Sequence, residues 1–466
     1  MKSSALFLAL CAGLPVLAQA PGLTVTSASG DSNVTLYGIL DAGLGRIAHS
    51  ATYAGDYGAT SDPRPSKIAT KSVTGMLNGG LSGNRLGLKG GTKVNDDLRA
   101  IFTLEAAINI TSGQVTNGMQ SVAQNISGSP VGDVNHPATG QYGSDSSLSG
   151  QLFGRQANFG IESKTFGAFT FGRNSSLMAD FIPGYDPLGG AQMFSPVGYS
   201  STFGAGGMTD NARLDSSIKY RAKFDAFTVA ALHKFGGVSG DSGARAVDQV
   251  LVAFEKGPFG VSLSYISCKD ATSAANYMTL TQAQTGSGTG TFTNTFTNPG
   301  QIKVTFYDTK ATLLMAKYKV GKLAIKAGAQ HQEITDPSDP STDMSLTSLY
   351  GQLVGQVVTN ALYVNGAEVT KKLDLAWIGV SYDVTDAFNV AAGFYGLHQN
   401  DFSNGGTAAG NKAGYGKFGS LVLDYKLSKA LDVYAGYMNT QYSAGMAAGY
   451  PLASNNIYGF GARYAF

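Results

Sequence analysis

Five histidines, two cysteines and 31 acidic residues are the groups in this chain best able to make bonds or hold ions, and their spacing gives none of them that task. A catalytic nucleophile needs a base and an orienting group within hydrogen-bonding reach. His49, His136 and His398 fall in or beside long polar connections, and His233 and His331 sit near the ends of alternating segments. None of them lies in a G-x-S-x-G or H-E-x-x-H context. Cys268 closes an alternating segment without a histidine nearby and reads as an inert packed thiol. The stretch TDPSDPSTD offers Asp336, Asp339 and Asp343 to a calcium ion but lacks the glycine and terminal glutamate of an EF-hand, so it reads as a solvated loop tip. The expectation is a protein that is not an enzyme and uses no metal or cofactor.

The remaining charges suggest electrostatic rather than covalent chemistry, because they recur on one face of extended segments. In RLDSSIKYR, Arg213, Asp215, Lys219 and Arg221 alternate with Leu214, Ile218 and Tyr220. In LRAIFTLEA, Arg99, Ile101, Thr103 and Glu105 oppose Ala100, Phe102 and Leu104. Near the start, Thr35, Tyr37, Ile39 and Asp41 oppose Val34, Leu36, Gly38, Leu40, Ala42 and Leu44. Residues two apart in a strand share a face, so each segment has one apolar side and one wet side. The terminal IYGFGARYAF keeps this pattern to its last residue, with Tyr458, Phe460, Ala462, Tyr464 and Phe466 on the apolar side.

Sixteen such segments can be placed, near 33–47, 81–91, 97–107, 152–163, 166–174, 212–222, 226–235, 247–256, 259–268, 311–320, 323–333, 371–382, 387–398, 414–427, 430–441 and 456–466. Their length, roughly 9 to 12 residues, suits a steeply tilted strand crossing a membrane. Tight connections such as Gly257-Pro258 and Gly321-Lys322 alternate strictly with long ones rich in Gly, Ser, Thr and Asn, among them the low-complexity run TGSGTGTFTNTFTNPG. An up-and-down barrel with short turns at one rim and long loops at the other produces that alternation directly. Apolar faces repeated this often, without helices to cover them, need lipid outside. A barrel of this size is too wide for side chains to fill and encloses water, which accounts for the charged inner face. Tyr265, Tyr318, Tyr425, Tyr437 and Tyr464 lie near segment ends on the outward parity, as interfacial rings should. Gln156 and Asn158 read as polar on the lipid-facing parity, which implies burial against a neighbouring subunit.

Targeting and composition agree. Residues 1–20, MKSSALFLALCAGLPVLAQA, join Lys2 to an apolar run and an Ala18-Gln19-Ala20 cleavage site, as in a secretory signal. Residues 21–466 read as one barrel domain, which in its mature form keeps Cys268 alone and so has no internal disulfide. A net charge of +2 gives no polybasic signature for nucleic acid.

These residues resemble the trimeric general porins of Gram-negative outer membranes, most closely the β-proteobacterial branch. SNVTLYGILDAGL resembles the family's opening strand and NRLGLKGGTKVNDDLRAIFTLE its second hairpin. LFGRQANFGIESKTFGAFTFGR resembles the fourth and fifth strands, and NARLDSSIKYRAKFDAFTVAALHKFG the sixth and seventh. The resemblance implies an all-β, 16-stranded antiparallel transmembrane barrel with long extracellular loops, short periplasmic turns and a third loop, about 175–211, folded inward as a constriction. It implies passive diffusion of ions and small hydrophilic solutes, with a substrate-specific channel or a surface adhesin or receptor barrel as alternatives. Arg85, Arg155 and Arg213 would form a basic ladder, supported by Arg173, Lys89 and Lys219, against Asp180 and Asp186 on the loop. Ile39 stands where some relatives carry a basic residue, and DPLGG replaces the loop's usual acidic-aromatic Gly-Gly motif. The implied partners are two further copies in a homotrimer, outer-membrane lipid and lipopolysaccharide, and the barrel-assembly machinery, which would read Tyr464 and Phe466 as an end signal.

Overall fold

The computed structural model of the chain describes residues 22–50, 71–111, 113, 152–197, 213–237, 239–244, 246–269, 273–274, 279–285, 291–297, 304–305, 308–335, 370–402, 412–447 and 452–466. The expected signal at 1–20, the third loop beyond residue 197 and the acidic positions 336–343 lie outside the described residues.

Strand β1 is Ser32–Ser50, and β2 comes in two pieces, Lys71–Asn78 and Arg85–Lys93. They are followed by β3 (Leu98–Ala107), β4 (Gln156–Ser163), β5 (Gly167–Ser175), helix α1 (Leu177–Tyr185), β6 (Arg213–Phe224), β7 (Phe227–Lys234), β8 (Val247–Lys256) and β9 (Phe259–Cys268). The second half contributes β10 (Asp308–Val320), β11 (Leu323–Thr335), β12 (Lys371–Asp383), β13 (Phe388–Gln399), β14 (Gly414–Lys426), β15 (Leu431–Ala444) and β16 (Ser454–Ala465). Every neighbouring pair is antiparallel, and the last strand returns to the first from Ile39↔Ala465 to Ile47↔Ile457. The result is a closed barrel of sixteen strand positions. A further short strand, Leu23–Thr26, pairs with the lower end of β1.

Burial is inverted relative to a water-soluble sheet. Leu314, Ile378, Phe394, Leu421 and Phe460 are exposed on the outer wall, while Gln249, Gln332, Asp41 and Glu105 are buried on the inner one. Hydrocarbon outside and a wet interior select this arrangement. The seam depends on the last residue. Gly38 N donates to Phe466 O at 2.9 Å, and Phe466 N donates to Gly38 O at 3.1 Å. The Phe466 ring lies where a Cβ on residue 38 would be, 2.6 Å away, and stacks on Tyr464 at 5.7 Å.

Four local readings need correction. The second segment does not run unbroken from 81, because residues 79–84 leave the wall and split β2. Gln156 and Asn158 do not face lipid: Phe159 is the outward residue of β4 at 68% exposure, and Asn158 pairs in register with Thr103 on the inner parity. Arg155 simply precedes the strand, so its side chain says nothing about the parity that follows. Leu214 leaves the outer set as well. Ser216 has a left-handed φ of 50° and the β5–β6 register shifts between Gly172 and Asn174, so an irregular residue resets the alternation and Leu214 is fully buried in the apolar cluster containing Leu177 and Ile182. Finally, the low-complexity run supplies the second strand of a hairpin, Thr279–Thr285 paired with Thr291–Thr297, which its alternating Thr and Phe allow.

Deleting Phe466 removes two hydrogen bonds and a ring from the closing seam. The expected outcome is a clear loss of folded, heat-modifiable barrel in membranes, read as gel mobility before and after boiling; undiminished yield would show that the seam closes without it.

Candidate functional site

The third loop enters the barrel as helix α1, begun by Ser176, whose Oγ accepts from Ala179 N at 3.1 Å. Leu177, Met178, Phe181, Ile182 and Tyr185 are buried against the inner wall, where the helix lies along β7, β8, β10 and β11. Polar ties fix its path: Gln249 Oε1 accepts from Leu177 N at 2.7 Å, Tyr185 OH donates to Glu255 at 3.1 Å, and Trp377 Nε1 donates to Tyr185 O at 3.1 Å. Phe194 then seats on Gly436, where a Cβ would come within 2.5 Å of its ring. Each such apolar side chain contributes about 2 kcal/mol of burial, so the loop's buried set outweighs any one of its ion pairs.

A second excursion meets the loop from the opposite direction. Asp41 on β1, fully buried, accepts from the backbone N–H groups of Gly80 at 3.1 Å, Leu81 at 2.9 Å and Ser82 at 2.8 Å, and from Tyr434 OH at 2.6 Å. Asn84 bonds both the N–H and the C=O of Asp41, so the segment 79–84 is pinned at its centre and its end. Its carbonyls in turn accept from the loop: Gln192 N donates to Leu81 O at 3.3 Å and Met193 N to Gly80 O at 2.9 Å.

The uncovered part of the wall carries the basic ladder. Arg155 Nε donates to Glu105 Oε1 at 2.6 Å, and Tyr37 OH donates to Glu105 Oε2 at 2.8 Å. Arg85 and Arg213 lie near enough to act on the same carboxylate. Three guanidinium groups thus gather around the Glu105 carboxylate, and Asp180 acts on Arg213 as well. Lys89 stands over the Tyr37 ring at 4.9 Å.

Of the two acids expected on the loop, only Asp180 lies near the ladder, close enough to act on Arg213. Asp180 is ion-paired with Lys219, which also donates to Ser175 O at 3.0 Å. Asp186 does not face the ladder: it is fully buried, accepting from Tyr395 OH at 2.6 Å and Gly190 N at 2.7 Å. Burial pushes its carboxyl above the ordinary carboxylate range, against the opposing pull of those bonds. Arg173 is held elsewhere, donating to Gly154 O at 2.7 Å and pairing with Asp215.

A family profile described as Gram-negative porin matches residues 8–445. The chain belongs to the Gram-negative porin family. An outer membrane porin protein of Bordetella pertussis is 28% identical over 290 residues, which span 59% of this chain and 61% of that relative, less than two thirds of its length. Among solved structures, the anion-selective porin from Comamonas acidovorans aligns with a TM-score of 0.57 at 17% identity, covering 94% of this chain and all of that one. OmpT of Vibrio cholerae aligns at 0.53 with 17% identity, covering 93% and 98%. These similarities agree with the resemblance to β-proteobacterial porins seen in the sequence.

In this porin, sequence reasoning singled out Arg85, Arg155 and Arg213, which converge on one carboxylate, but it missed what organises them. Glu105 and Tyr37 showed only as wet-face residues. Asp41 and Asn84 gave no motif, although the broken alternation of NGGLSGN signals an excursion. Arg463, bound to Asp432 at 2.6 Å and to Ser82 Oγ at 3.1 Å, ties the same excursion to β15 and β16.

Asp41→Ala removes four acceptor bonds at once. It is expected to loosen the excursion and the loop tip resting on it, giving larger and noisier single-channel currents; currents matching the wild type in size and noise would free Asp41 of this role.

Proposed function

We propose that the protein is a homotrimeric outer-membrane porin that passes ions and small hydrophilic solutes passively, with preference for anions and without catalysis. The single observation carrying the reading is the gathering of Arg85, Arg155 and Arg213 around the one carboxylate of Glu105, beside a loop whose described acids, Asp180 and Asp186, are respectively paired with Lys219 and buried under Tyr395. In a narrow aqueous passage with low-dielectric walls, such a one-sided field raises the local concentration of anions and orients dipolar solutes. Because water fills the passage, attraction remains weak enough for release, so selectivity is a bias in flux and not a binding reaction.

Two structural relatives support the finer parts of this reading. One is described as an anion-selective porin, and OmpT of Vibrio cholerae has been solved in a trimer form. Residues 1–20 act as the export signal for the barrel at 21–466. Tyr464 and Phe466 act as the mark for the barrel-assembly machinery, consistent with their place at the closing seam. Outer-membrane lipid, lipopolysaccharide among it, surrounds the exposed apolar wall.

In planar bilayers the purified protein is expected to insert in steps with roughly ohmic conductance, and its reversal potential in a salt gradient is expected to lie on the anion side. Replacing Arg85, Arg155 and Arg213 together with glutamine should move that potential toward cations. Absence of stepwise conductance would reject the channel, whereas an unmoved reversal potential would reject the ladder alone.

A further inference from the structure

The outer wall has a dent where lipid should meet an even surface. In register across β10 to β14 run Leu314↔Ala329↔Ala376↔Gly396↔Lys417, three small residues between two large ones. They floor a groove of about 600 Å³, bounded on one side by Phe394. The adjoining row on its long-loop side is polar: His331, Asp374, His398 and Tyr415. Asp374 is held by His331 Nδ1 at 2.6 Å and lies 3.7 Å from His398 Nδ1, while the His398 ring packs 4.8 Å from that of Tyr415. The nearby Glu333 is bound to Lys372 at 3.1 Å.

Both acids beside the groove are therefore engaged by basic side chains. Lys417 is not: it is exposed on the lipid-facing parity and, among the described residues, forms no ion pair. A charge on a hydrocarbon-facing wall is costly unless its flexible stem carries it to a headgroup. A lone lysine at one end of an apolar groove, beside imidazoles and a tyrosine, complements an anionic head joined to an acyl chain.

We propose that this groove on β10–β14 binds an amphiphile with a phosphomonoester head from the surrounding leaflet. Lys417 meets the phosphate, the imidazoles and Tyr415 supply further hydrogen-bonding groups, and one acyl chain lies over Ala329, Ala376 and Gly396. The site rests on the placement of the outer wall in lipid and is independent of conduction, since none of these residues belongs to the ladder or the loop.

The test is native mass spectrometry of the purified, delipidated protein in micelles holding equal amounts of dipalmitoyl phosphatidate and dipalmitoyl phosphatidylcholine. The wild type is expected to retain phosphatidate about tenfold over phosphatidylcholine, and Lys417→Gln to abolish that preference. Gly396→Leu, at a position where a Cβ meets nothing within 4 Å, should fill the groove and lower retention of both lipids. Wild-type conductance of both variants shows that the barrel is intact and separates this proposal from that of the channel. Equal retention of the two lipids by the wild type, or retention unchanged in both variants, would overturn the site. So would cross-linking of Gly396→Cys to a neighbouring subunit, which would make the groove a contact with a second copy.

Discussion

A polypeptide lying against hydrocarbon has no water to satisfy its peptide groups, and closure of the hydrogen-bonded ring is the constraint on which the rest of this molecule depends. The seam between β1 and β16 supplies it, with the terminal Phe466 exchanging two backbone bonds with Gly38. Once the ring is closed, the outer wall can be apolar along its whole girth. The interior of sixteen strands is too broad to be filled by wall side chains, and what lies inside becomes a separate structural problem.

That problem is solved by two inward segments that hold each other. The third loop is anchored by apolar burial along the wall from β7 to β16, and the short excursion in β2 by the buried carboxylate of Asp41. Where they meet, Gln192 and Met193 bond to Leu81 and Gly80. Buried polar groups of this kind are costly when unpaired and specific when satisfied. Their completeness gives the passage a defined shape, and Glu105 gathers the guanidinium groups that border it. The charges that border the passage follow from which side chains the fold brings together, not from the total of acids and bases, which is nearly balanced across the chain.

Much of the wall was legible because strand alternation is a local property, and a lipid boundary enforces it residue by residue. The strands expected at 247–256 and 259–268 match β8 and β9 end for end, and the tight turns at Gly257 and Gly321 have the positive φ their glycines permit. Legibility failed wherever an irregular residue reset the period. Counting alternation through Arg155 assigned Gln156 and Asn158 to the wrong face, and counting through Ser216 did the same for Leu214.

By itself the amino-acid order determined the class of molecule, the number of crossings and the residues competent to charge the inner surface, because each follows from spacing along one strand. Only the tertiary structure decided that Asp186 is buried under Tyr395, that Asp180 is paired with Lys219, and that Glu105 lies among arginines drawn from β2, from the residue just before β4 and from β6. Those contacts join positions far apart in the chain, and their partners are chosen by closure of the barrel and by the path of the loop inside it, neither of which leaves a periodic trace.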